Sequence, residues 1–315
     1  MEKILITGAL GQLGTELVEG LTEAYGHDAI VASDLADTPE QPLTVAYESL
    51  NVLLPERIED VIRRCGITQI YHLAAILSAK GEENPKKAWE INMSGLFNIL
   101  EAARMMKLNK VYWPSSIAVF GNDTPRDNTP QDTLMNPATV YGISKLAGER
   151  WCEYYHQHYG LDVRSLRYPG LIGYKSLAGG GTTDYAVDIY HKAINGEEFT
   201  CFLEEDTELP MMYMKDAVRA TIELMKADPG RIRIRSSYNI SGMSFSPKEI
   251  YHEIRKSHPE FRIRYAPDFR QQIADSWPNS IDDSKAKADW GWEARYDLHE
   301  MTRDIFLNLN QIRIN

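Results

Sequence analysis

An apolar run enters a glycine-rich turn in the stretch Lys3-Ile-Leu-Ile-Thr-Gly-Ala-Leu-Gly-Gln-Leu-Gly14. Its glycines have the spacing G-x-x-G-x-x-G, and a helical pattern follows over 15–21. Glycines at this spacing permit a tight turn and bring the backbone close to a pyrophosphate, while the start of the helix offers unpaired N–H groups to the phosphates. The stretch therefore predicts a strand, a turn and a helix that bind a dinucleotide. The residues predicted to surround the pyrophosphate are Gly8, Gly11, Gln12, Leu13 and Gly14.

An acidic residue stands about 20 positions beyond the glycines, where a dinucleotide fold places its ribose-binding acid. It ends a second apolar run, Ala29-Ile-Val-Ala-Ser-Asp34. A carboxylate here can accept hydrogen bonds from both hydroxyls of the adenosine ribose, and it repels a 2′-phosphate. Asp34 therefore predicts NAD rather than NADP as the cofactor. The alternative is a glycine turn that binds no phosphate, with Asp34 as a capping residue.

Strand-like and helix-like segments alternate through the first half of the chain. Further strand-like runs are 43–46, 69–75 and 110–116, and helical patterns occupy 55–65, 85–106 and 141–159. This alternation predicts an α/β fold of the Rossmann type, with a doubly wound parallel sheet. At 315 residues the chain exceeds the usual size of one domain. We predict an NAD-binding domain over 1–170 and a smaller, mainly substrate-binding α/β domain over 171–315, and leave open whether parts of 210–242 return to the first.

Further cofactor contacts are predicted beyond the carboxyl ends of the strands, where open α/β sheets bind their ligands. Asn51 follows the third strand and either hydrogen-bonds the adenine or serves as a plain turn residue. Asn92 interrupts a helical pattern at a cost in helix propensity, which points to a buried polar network. The cofactor positions predicted in this way are Asn51, Leu73, Ala74, Ala75, Asn92 and Leu171.

Charge and composition exclude several classes of protein. A net charge of −11 argues against binding to nucleic acid or anionic membranes, which needs a concentrated basic surface. No run approaches the roughly 18 apolar residues of a membrane span, and a first strand at Lys3 leaves no room for a targeting leader. The three cysteines and eight histidines are scattered, so we expect a reducing cytoplasm and no bound metal.

A hydroxyl-ended strand and a tyrosine–lysine pair occupy the middle of the chain. The fifth strand ends at Ser115 and Ser116, and Tyr141 and Lys145 stand four apart on one face of a long helix. A free tyrosine titrates near pH 10, so its use as a base near neutrality means lowering its pKa by roughly 3 units, or about 4 kcal/mol. A cation at about 4 Å supplies that order of energy. We predict that Tyr141 is the base, that Lys145 lowers its pKa and holds the nicotinamide ribose, and that Ser116 orients the substrate oxygen.

A small polar segment at 176–186 is predicted to bind the substrate. It contains Gly-Gly-Gly-Thr-Thr-Asp at 179–184, which concentrates backbone N–H groups, two hydroxyls and a carboxylate at the start of a helix. Such a segment could hold the carboxylate and ammonium of an amino acid. Thr182, Thr183 and Asp184 are also preferred helix N-caps, so a capping role is the alternative.

Taken together, these motifs resemble those of the extended short-chain dehydrogenase/reductases over nearly the whole chain. The resemblance implies a catalytic set of Ser116, Tyr141 and Lys145, with Ser115 the less favoured serine. In this family two helices, here 85–106 and 142–159, pair the subunits. A homodimer is therefore expected.

Four separated segments resemble the L-threonine 3-dehydrogenase branch of this family, namely 77–84, 167–172, 176–186 and 276–284. That branch implies NAD-dependent oxidation of the C3 hydroxyl of L-threonine to L-2-amino-3-oxobutanoate. The substrate residues that it implies are Ser78, Ser116, Tyr141, Thr182, Thr183 and Asp184.

Three other functions are weighed against this one. A nucleotide-sugar dehydratase would place acidic residues beside the catalytic hydroxyl, whereas Ser116 is followed by Ile117. A UDP-sugar 4-epimerase shares the fold and the catalytic set, but it needs a uridine-phosphate site with basic residues, and the segment 179–184 is small and nearly neutral. A non-enzymatic redox sensor would bind the dinucleotide and signal through a partner. It would not need the complete set of serine, tyrosine and lysine.

Overall fold

A parallel sheet forms the centre of the computed structural model, which describes residues 2–177 and 179–314. Its strands are β1 (Ile4–Thr7), β2 (Ile30–Asp34), β3 (Ala46–Ser49), β4 (Gln69–His72), β5 (Lys110–Tyr112) and β7 (Val163–Arg164). They run in the order β3-β2-β1-β4-β5-β7. The order reverses between β1 and β4, and a parallel sheet binds its ligands in the crevice at such a point. The predicted α/β fold with a doubly wound Rossmann sheet is confirmed.

Helices cover both faces of this sheet. Those of the first half are α1 (Gln12–Tyr25), α2 (Pro55–Cys65), α3 (Ser78–Glu83), α4 (Pro85–Trp89), α5 (Gly95–Met105) and α6 (Val140–Tyr159). Successive residues of a strand face opposite sides of a sheet. Leu5 therefore packs with residues of α2 and α5 in one core, whereas Ile4 and Ile6 pack with residues of α1 in another. The ends of β1 and β4 are thus anchored from both sides.

The second half of the chain adds short strands and further helices. The strands are β6 (Ser115–Ser116), β8 (Leu166–Tyr168), β9 (Gly170–Ile172), β10 (Phe199–Cys201), β11 (Leu209–Tyr213), β12 (Tyr238–Asn239), β13 (Met243–Phe245) and β14 (Ile263–Tyr265). The helices are α7 (Tyr185–Asn195), α8 (Met214–Lys226), α9 (Pro247–Arg255), α10 (Arg270–Asp275), α11 (Ser284–Trp290) and α12 (Leu298–Ile314). The strands form small sheets in the orders β12-β8-β6 and β13-β11-β9, and β10 pairs with β14.

Strand β11 and helix α8 join the two halves. Met211 lies in the core of the second half, and Met212 lies in a core of the main sheet. Helix α8 packs against α1, where the side chain of Val218 lies over Gly20. The domain boundary after residue 170 stays a prediction, and these contacts favour assigning part of 210–242 to the first domain.

Local structure departs from the prediction at several element ends. The third strand is Ala46–Ser49 rather than 43–46, because its register is set by pairing with β2. The predicted strand 110–116 is interrupted before Pro114, which has no N–H for the ladder. The helix predicted over 85–106 contains a π-helical turn at Glu90–Ser94.

Some features are absent from the described ranges, 2–177 and 179–314. No helix in them is long and apolar enough to cross a membrane. No group of three or more His, Cys, Asp and Glu side chains there could hold a metal ion. The thiols of Cys65, Cys152 and Cys201 form no disulfide within the same ranges.

Candidate active site

The glycine-rich turn between β1 and α1 lies against the residues that follow β4. Gly8 has φ +73°, and a Cβ atom added to it would lie 2.7 Å from the backbone nitrogen of Ala74. A Cβ atom on Gly14 would lie 2.2 Å from the carbonyl oxygen of Gly8. Both positions therefore require glycine. At Gly11 the nearest atom to such a Cβ is the Gly8 carbonyl oxygen at 3.5 Å, so the space beside Gly11 is open.

The start of α1 is available to an anion. Gly11 is its N-cap, and no side chain in the described part of the chain makes the capping hydrogen bond. Gln12 and Leu13 form the first turn, and the side-chain amide of Gln12 donates to the carbonyl of Leu177 at 3.0 Å. A glycine cradle at a helix N-terminus is the usual binding site of a pyrophosphate. The residues present therefore fit a dinucleotide.

The carboxylate of Asp34 faces the same turn. Its Oδ2 accepts the N–H of Leu10 at 3.0 Å, and its Oδ1 accepts the N–H of Leu35 at 2.7 Å. These bonds orient the carboxylate beside the glycine turn, and each oxygen keeps a further lone pair. Binding of the ribose hydroxyls by Asp34 stays a prediction, and this position favours it.

Asn51 and Asn92 use their side-chain amides inside the protein. The Oδ1 of Asn51 accepts the N–H of Leu53 at 3.0 Å, as a turn asparagine does. Asn92 accepts the N–H of Ile76 at 2.8 Å, and its Nδ2 donates to the Ile76 carbonyl at 3.1 Å and to the Ser144 hydroxyl at 3.3 Å. Both N–H bonds of the Asn92 amide are occupied. This side chain therefore holds the segment after β4 in position rather than donating to a ligand.

The remaining predicted cofactor positions follow β4 or lie in β9. The N–H of Leu73 donates to the Thr7 carbonyl at 3.0 Å, which aligns the segment 73–75 with the end of β1. Leu171 lies in β9 and pairs with Met212. A contact between the ends of β1 and β4 was not predicted: the Nδ1 of His72 lies 2.7 Å from the Thr7 hydroxyl. Burial lowers the pKa of His72 to about 3, so its ring is neutral.

Ser116, Tyr141 and Lys145 come together where β6 meets the first turns of α6. The Nζ of Lys145 donates to the carbonyl of Pro114 at 2.6 Å. It lies 4.4 Å from the centre of the Trp113 ring and 5.4 Å from the centre of the Tyr141 ring. The structure therefore brings together the three residues predicted to be catalytic. Trp113 and Pro114, which hold the lysine, were not predicted.

Burial controls the acid–base properties of the tyrosine–lysine pair. It raises the pKa of Tyr141 to about 12, and a hydrogen bond with Ser116 opposes this rise in part. Burial also lowers the pKa of Lys145 to about 7. The predicted lowering of the Tyr141 pKa is therefore not present in this structure, because burial disfavours the charged phenolate more than the hydrogen bond with Ser116 favours it.

Ser78 and Thr182 are in contact although they are 104 positions apart in the chain. Their hydroxyl oxygens are 3.1 Å apart, and both residues are buried. Ser78 opens α3, for which no helix was predicted, and Glu82 of the same helix accepts the N–H of Val140 at 2.8 Å. Val140 precedes Tyr141. The fold therefore brings both predicted substrate segments to the start of the helix that carries the tyrosine.

The glycine turn before α7 is closed by a carboxylate of its own segment. The Oδ2 of Asp184 accepts the N–H groups of Gly180 and Gly181 at 2.8 and 2.7 Å. These N–H groups are not available to a substrate carboxylate, which corrects that part of the prediction. The capping alternative also fails for Asp184, whose side chain makes no cap hydrogen bond to α7 among the described residues. Thr183 packs its methyl group against Gly170.

One buried ion pair next to the site was not predicted. Glu149 lies one helical turn beyond Lys145 and pairs with Arg167 of β8, with 2.8 Å between Oε2 and Nη2. The spacing Y-x-x-x-K-x-x-x-E, which continues the face of Tyr141, was a visible signal. Nothing in the spacing identified Arg167 as the partner, because that contact depends on the packing of α6 over β8.

The sheet, the glycine turn and the serine–tyrosine–lysine set define the class of short-chain dehydrogenase/reductases. A family model gives the closer assignment. The chain belongs to the NAD-dependent epimerase/dehydratase family, whose model matches residues 4–241. The predicted family and NAD as the cofactor are confirmed.

Similar proteins match nearly the whole chain. The solved structure of the GalE-like L-threonine dehydrogenase from Cupriavidus necator, in its holo form, is 56% identical, with a TM-score of 0.96 over 98% of this chain and 99% of that chain. A monomeric L-threonine 3-dehydrogenase from a metagenome is 48% identical, with a TM-score of 0.95 and the same coverage of 98% and 99%. An uncharacterized epimerase/dehydratase from Staphylococcus aureus is 47% identical over 308 residues, which is 96% of this chain and 95% of the relative.

Proposed function

We propose that this protein oxidises the C3 hydroxyl of L-threonine with NAD+, which gives L-2-amino-3-oxobutanoate. Its similarity to L-threonine dehydrogenases extends over 98% of the chain. In the geometry, the observation that carries the proposal is the contact of Ser78 with Thr182 at 3.1 Å. This contact joins two polar segments beside the helix that bears Tyr141. We propose that together they offer a site to a small hydrogen-bonding substrate, next to the start of the helix that carries the base.

In this proposal the C3 hydroxyl of threonine lies between Ser116 and Tyr141. The hydroxyl of Ser116 orients the substrate oxygen, and the Tyr141 phenolate accepts the substrate proton. The ammonium of Lys145, whose Nζ lies 5.4 Å from the centre of the Tyr141 ring, stabilises that phenolate by the attraction of opposite charges. When bound, NAD+ supplies the acceptor for the hydride and a second positive charge.

We propose that the cofactor binds beyond the carboxyl ends of β1, β2 and β4 and extends to the start of α6. We assign the pyrophosphate to the glycine turn at 8–14, the adenosine ribose to Asp34 and the nicotinamide ribose to Tyr141 and Lys145. Asn51 and the segment 73–75 would line the adenine and the centre of the cofactor. For the substrate we propose hydrogen bonds with Ser78, Thr182 and Thr183, whereas Asp184 would shape the turn.

The first test is the growth of NADH absorbance when the protein is mixed with NAD+ and L-threonine, with UDP-galactose epimerisation assayed in parallel. Tyr141→Phe should keep NAD binding and lose about 10² to 10⁴ of turnover, since the general base is removed. Near-normal turnover of this variant would contradict the role of Tyr141. If no NADH forms with threonine but the UDP-sugars are interconverted, the epimerase alternative is favoured. NAD binding without either reaction would favour the redox sensor.

We also propose a homodimer formed through α5 and α6. Trp151, Tyr154 and Tyr159 of α6 are 38%, 39% and 49% exposed, and the ring centre of Phe97 on α5 lies 4.7 Å from that of Trp151. An exposed aromatic patch of this kind marks an interaction surface. Light scattering should give twice the chain mass for the wild type and a monomer for Trp151→Glu. A monomeric wild type would exclude the dimer, and the metagenome relative is itself monomeric.

A cytoplasmic location remains an expectation that rests on the three scattered cysteines. Fractionation of producing cells would test it, and recovery of the protein in a membrane or secreted fraction would contradict it.

A further inference from the structure

A buried ion pair lies directly behind the candidate catalytic residues. Arg167 donates from Nε and Nη2 to the two carboxylate oxygens of Glu149, both at 2.8 Å. The side chains are 2% and 0% exposed. The hydroxyl of Ser115 donates to the same Glu149 carboxylate at 2.6 Å. Three segments of the chain therefore meet at one carboxylate.

Each of these segments carries or borders a residue of the catalytic set. Ser115 directly precedes Ser116 in β6. Glu149 lies in α6, one turn beyond Lys145 and two turns beyond Tyr141. Arg167 is the residue of β8 that pairs with Ser115 in the small sheet. A displacement of the Glu149 carboxylate would therefore move Ser116 relative to the tyrosine and the lysine.

The arginine is itself held in place by further bonds. Its Nη1 donates to the carbonyl of Gln131 and to the Oδ1 of Asn239, both at 3.0 Å. Asn239 in turn donates to the carbonyl of Thr129 at 3.2 Å. The guanidinium therefore has partners in several elements, and its geometry is tightly defined.

Stability alone is a weak reason for such a pair. Replacing a buried ion pair by apolar side chains is often neutral or stabilising, because desolvation offsets the attraction of the charges. A bidentate pair does supply a defined geometry, and geometry is what the neighbouring catalytic groups need. The charge of Glu149 also acts on Lys145: burial lowers the pKa of the lysine to about 7, and Cys152 and the Glu149 carboxylate both oppose that fall.

We propose that Glu149, held by Arg167, is a positioning residue that sets Ser116 against Tyr141 and Lys145 by means of Ser115. This inference rests on the proposed function, because it assumes that Ser116, Tyr141 and Lys145 act on a substrate. Glu149, Arg167 and Ser115 touch neither substrate nor cofactor in it.

The decisive variant is Ser115→Ala, which removes one hydroxyl and leaves the ion pair intact. Ser165→Ala is the matched control: Ser165 is 3% exposed against 2% for Ser115, and its hydroxyl donates to Ser237 at 3.0 Å, away from Glu149. Both variants lose one buried hydroxyl, so we expect similar midpoints of urea unfolding. For threonine oxidation, kcat of Ser115→Ala should fall by about tenfold or more with little change in KM, whereas Ser165→Ala keeps both. Equal kcat values for the two variants would overturn the proposal.

Glu149→Gln adds a readout that a purely structural role would not move. Cys152 and Glu149 both oppose the fall in the Lys145 pKa, and this variant removes the Glu149 charge, so the alkaline limb of the kcat profile should shift to lower pH. An unshifted alkaline limb in a folded Glu149→Gln protein would contradict the proposal. If this variant does not fold, the comparison of Ser115→Ala with Ser165→Ala still tests the positioning role of Glu149.

The two proposals can fail separately. A wild type that does not oxidise threonine refutes the proposed function, and crystal structures of the two serine variants then test the positioning role. In Ser115→Ala the Ser116 hydroxyl should be displaced from its wild-type position relative to Tyr141, and in Ser165→Ala it should not. An unmoved Ser116 in both crystal structures would refute the positioning role whatever the substrate is.

Discussion

Two glycine-rich segments stand at helix starts in this molecule: the first turn, residues 8–14, leads into α1, and the second turn, residues 179–181, precedes α7. In sequence each one concentrates backbone N–H groups at the start of a helix, which is a common anion-binding arrangement. In the first turn Gly11 caps α1 without a capping side chain from the described residues. In the second turn the carboxylate of Asp184 accepts the N–H groups of Gly180 and Gly181.

The comparison shows that glycine content alone does not make an anion site. Asp184 follows its turn by three residues, so its carboxylate can fold back onto the turn's own N–H groups. The acid beside the first turn, Asp34, comes from the neighbouring strand β2 and accepts only the N–H of Leu10 from that turn. The first turn therefore keeps its helix N-terminus for a ligand, whereas the second already contains its anion.

The largest effect is expected from Gly14→Ala in the first turn. The new Cβ atom would lie 2.2 Å from the Gly8 carbonyl oxygen, so backbone must move. We expect the free energy of unfolding to fall by about 3 kcal/mol or more and NAD binding to be lost, as measured by urea unfolding and calorimetric titration. Gly11→Ala is the control, because its Cβ atom meets its nearest neighbour at 3.5 Å and should cost less than about 1 kcal/mol. Equal losses of stability in the two variants would show that the backbone is not packed more tightly around Gly14 than around Gly11.

Asp184→Ala would convert the second turn toward the first. It leaves the N–H groups of Gly180 and Gly181 without their acceptor, at a cost of about 1–3 kcal/mol in the free energy of unfolding. Added acetate should restore part of this stability by occupying the vacated place. Asp184→Asn keeps an oxygen acceptor, so it should lose less stability and respond less to acetate. An Asp184→Ala protein that unfolds at the wild-type midpoint would show that the carboxylate does not hold the turn.

The same carboxyl should give the second turn a pH dependence. Burial raises the pKa of Asp184 above its ordinary value of 3.8, although the backbone hydrogen bonds act against the rise. A group with a raised folded-state pKa contributes stability below its ordinary pKa, and this contribution is lost as the pH rises through the raised value. The stability of the wild type relative to Asp184→Asn should therefore decline as the pH rises above about 4 in urea unfolding series. A difference that grows with pH would mean that the hydrogen bonds outweigh burial.

The smallest effect is expected at the acid beside the first turn. Asp34→Asn keeps an acceptor for Leu10 and removes the charge that would repel a 2′-phosphate. The ratio of kcat/KM for NAD to that for NADP should fall by about tenfold, which is about 1.4 kcal/mol. Asp37→Asn is the control, since that carboxylate accepts from Ser49 at 3.2 Å and is exposed. An unchanged ratio in Asp34→Asn would remove Asp34 from cofactor selection.

The sequence predicted the first turn better than the second for a physical reason. Gly8, Gly14 and Asp34 belong to one strand–turn–helix–strand unit, whose geometry follows from local spacing. The role of Asp184 depended on which of the nearby backbone N–H groups its carboxylate accepts. The residue types alone do not decide this. The helix over 78–83 was missed because its six residues are too few for a clear periodic pattern.

The spacing of residues in the sequence was sufficient to predict the parallel sheet, the dinucleotide turn and the approach of Ser116 to Tyr141 and Lys145. Each of these depends on neighbouring residues or on the ends of adjacent strands. Only the folded structure showed three further features. These are the contact of Ser78 with Thr182, the pairing of Glu149 with Arg167, and the opposite pKa changes of Tyr141 and Lys145. The physical reason is that hydrogen bonding across long chain separations and loss of water depend on packing, which residue types and spacing do not specify.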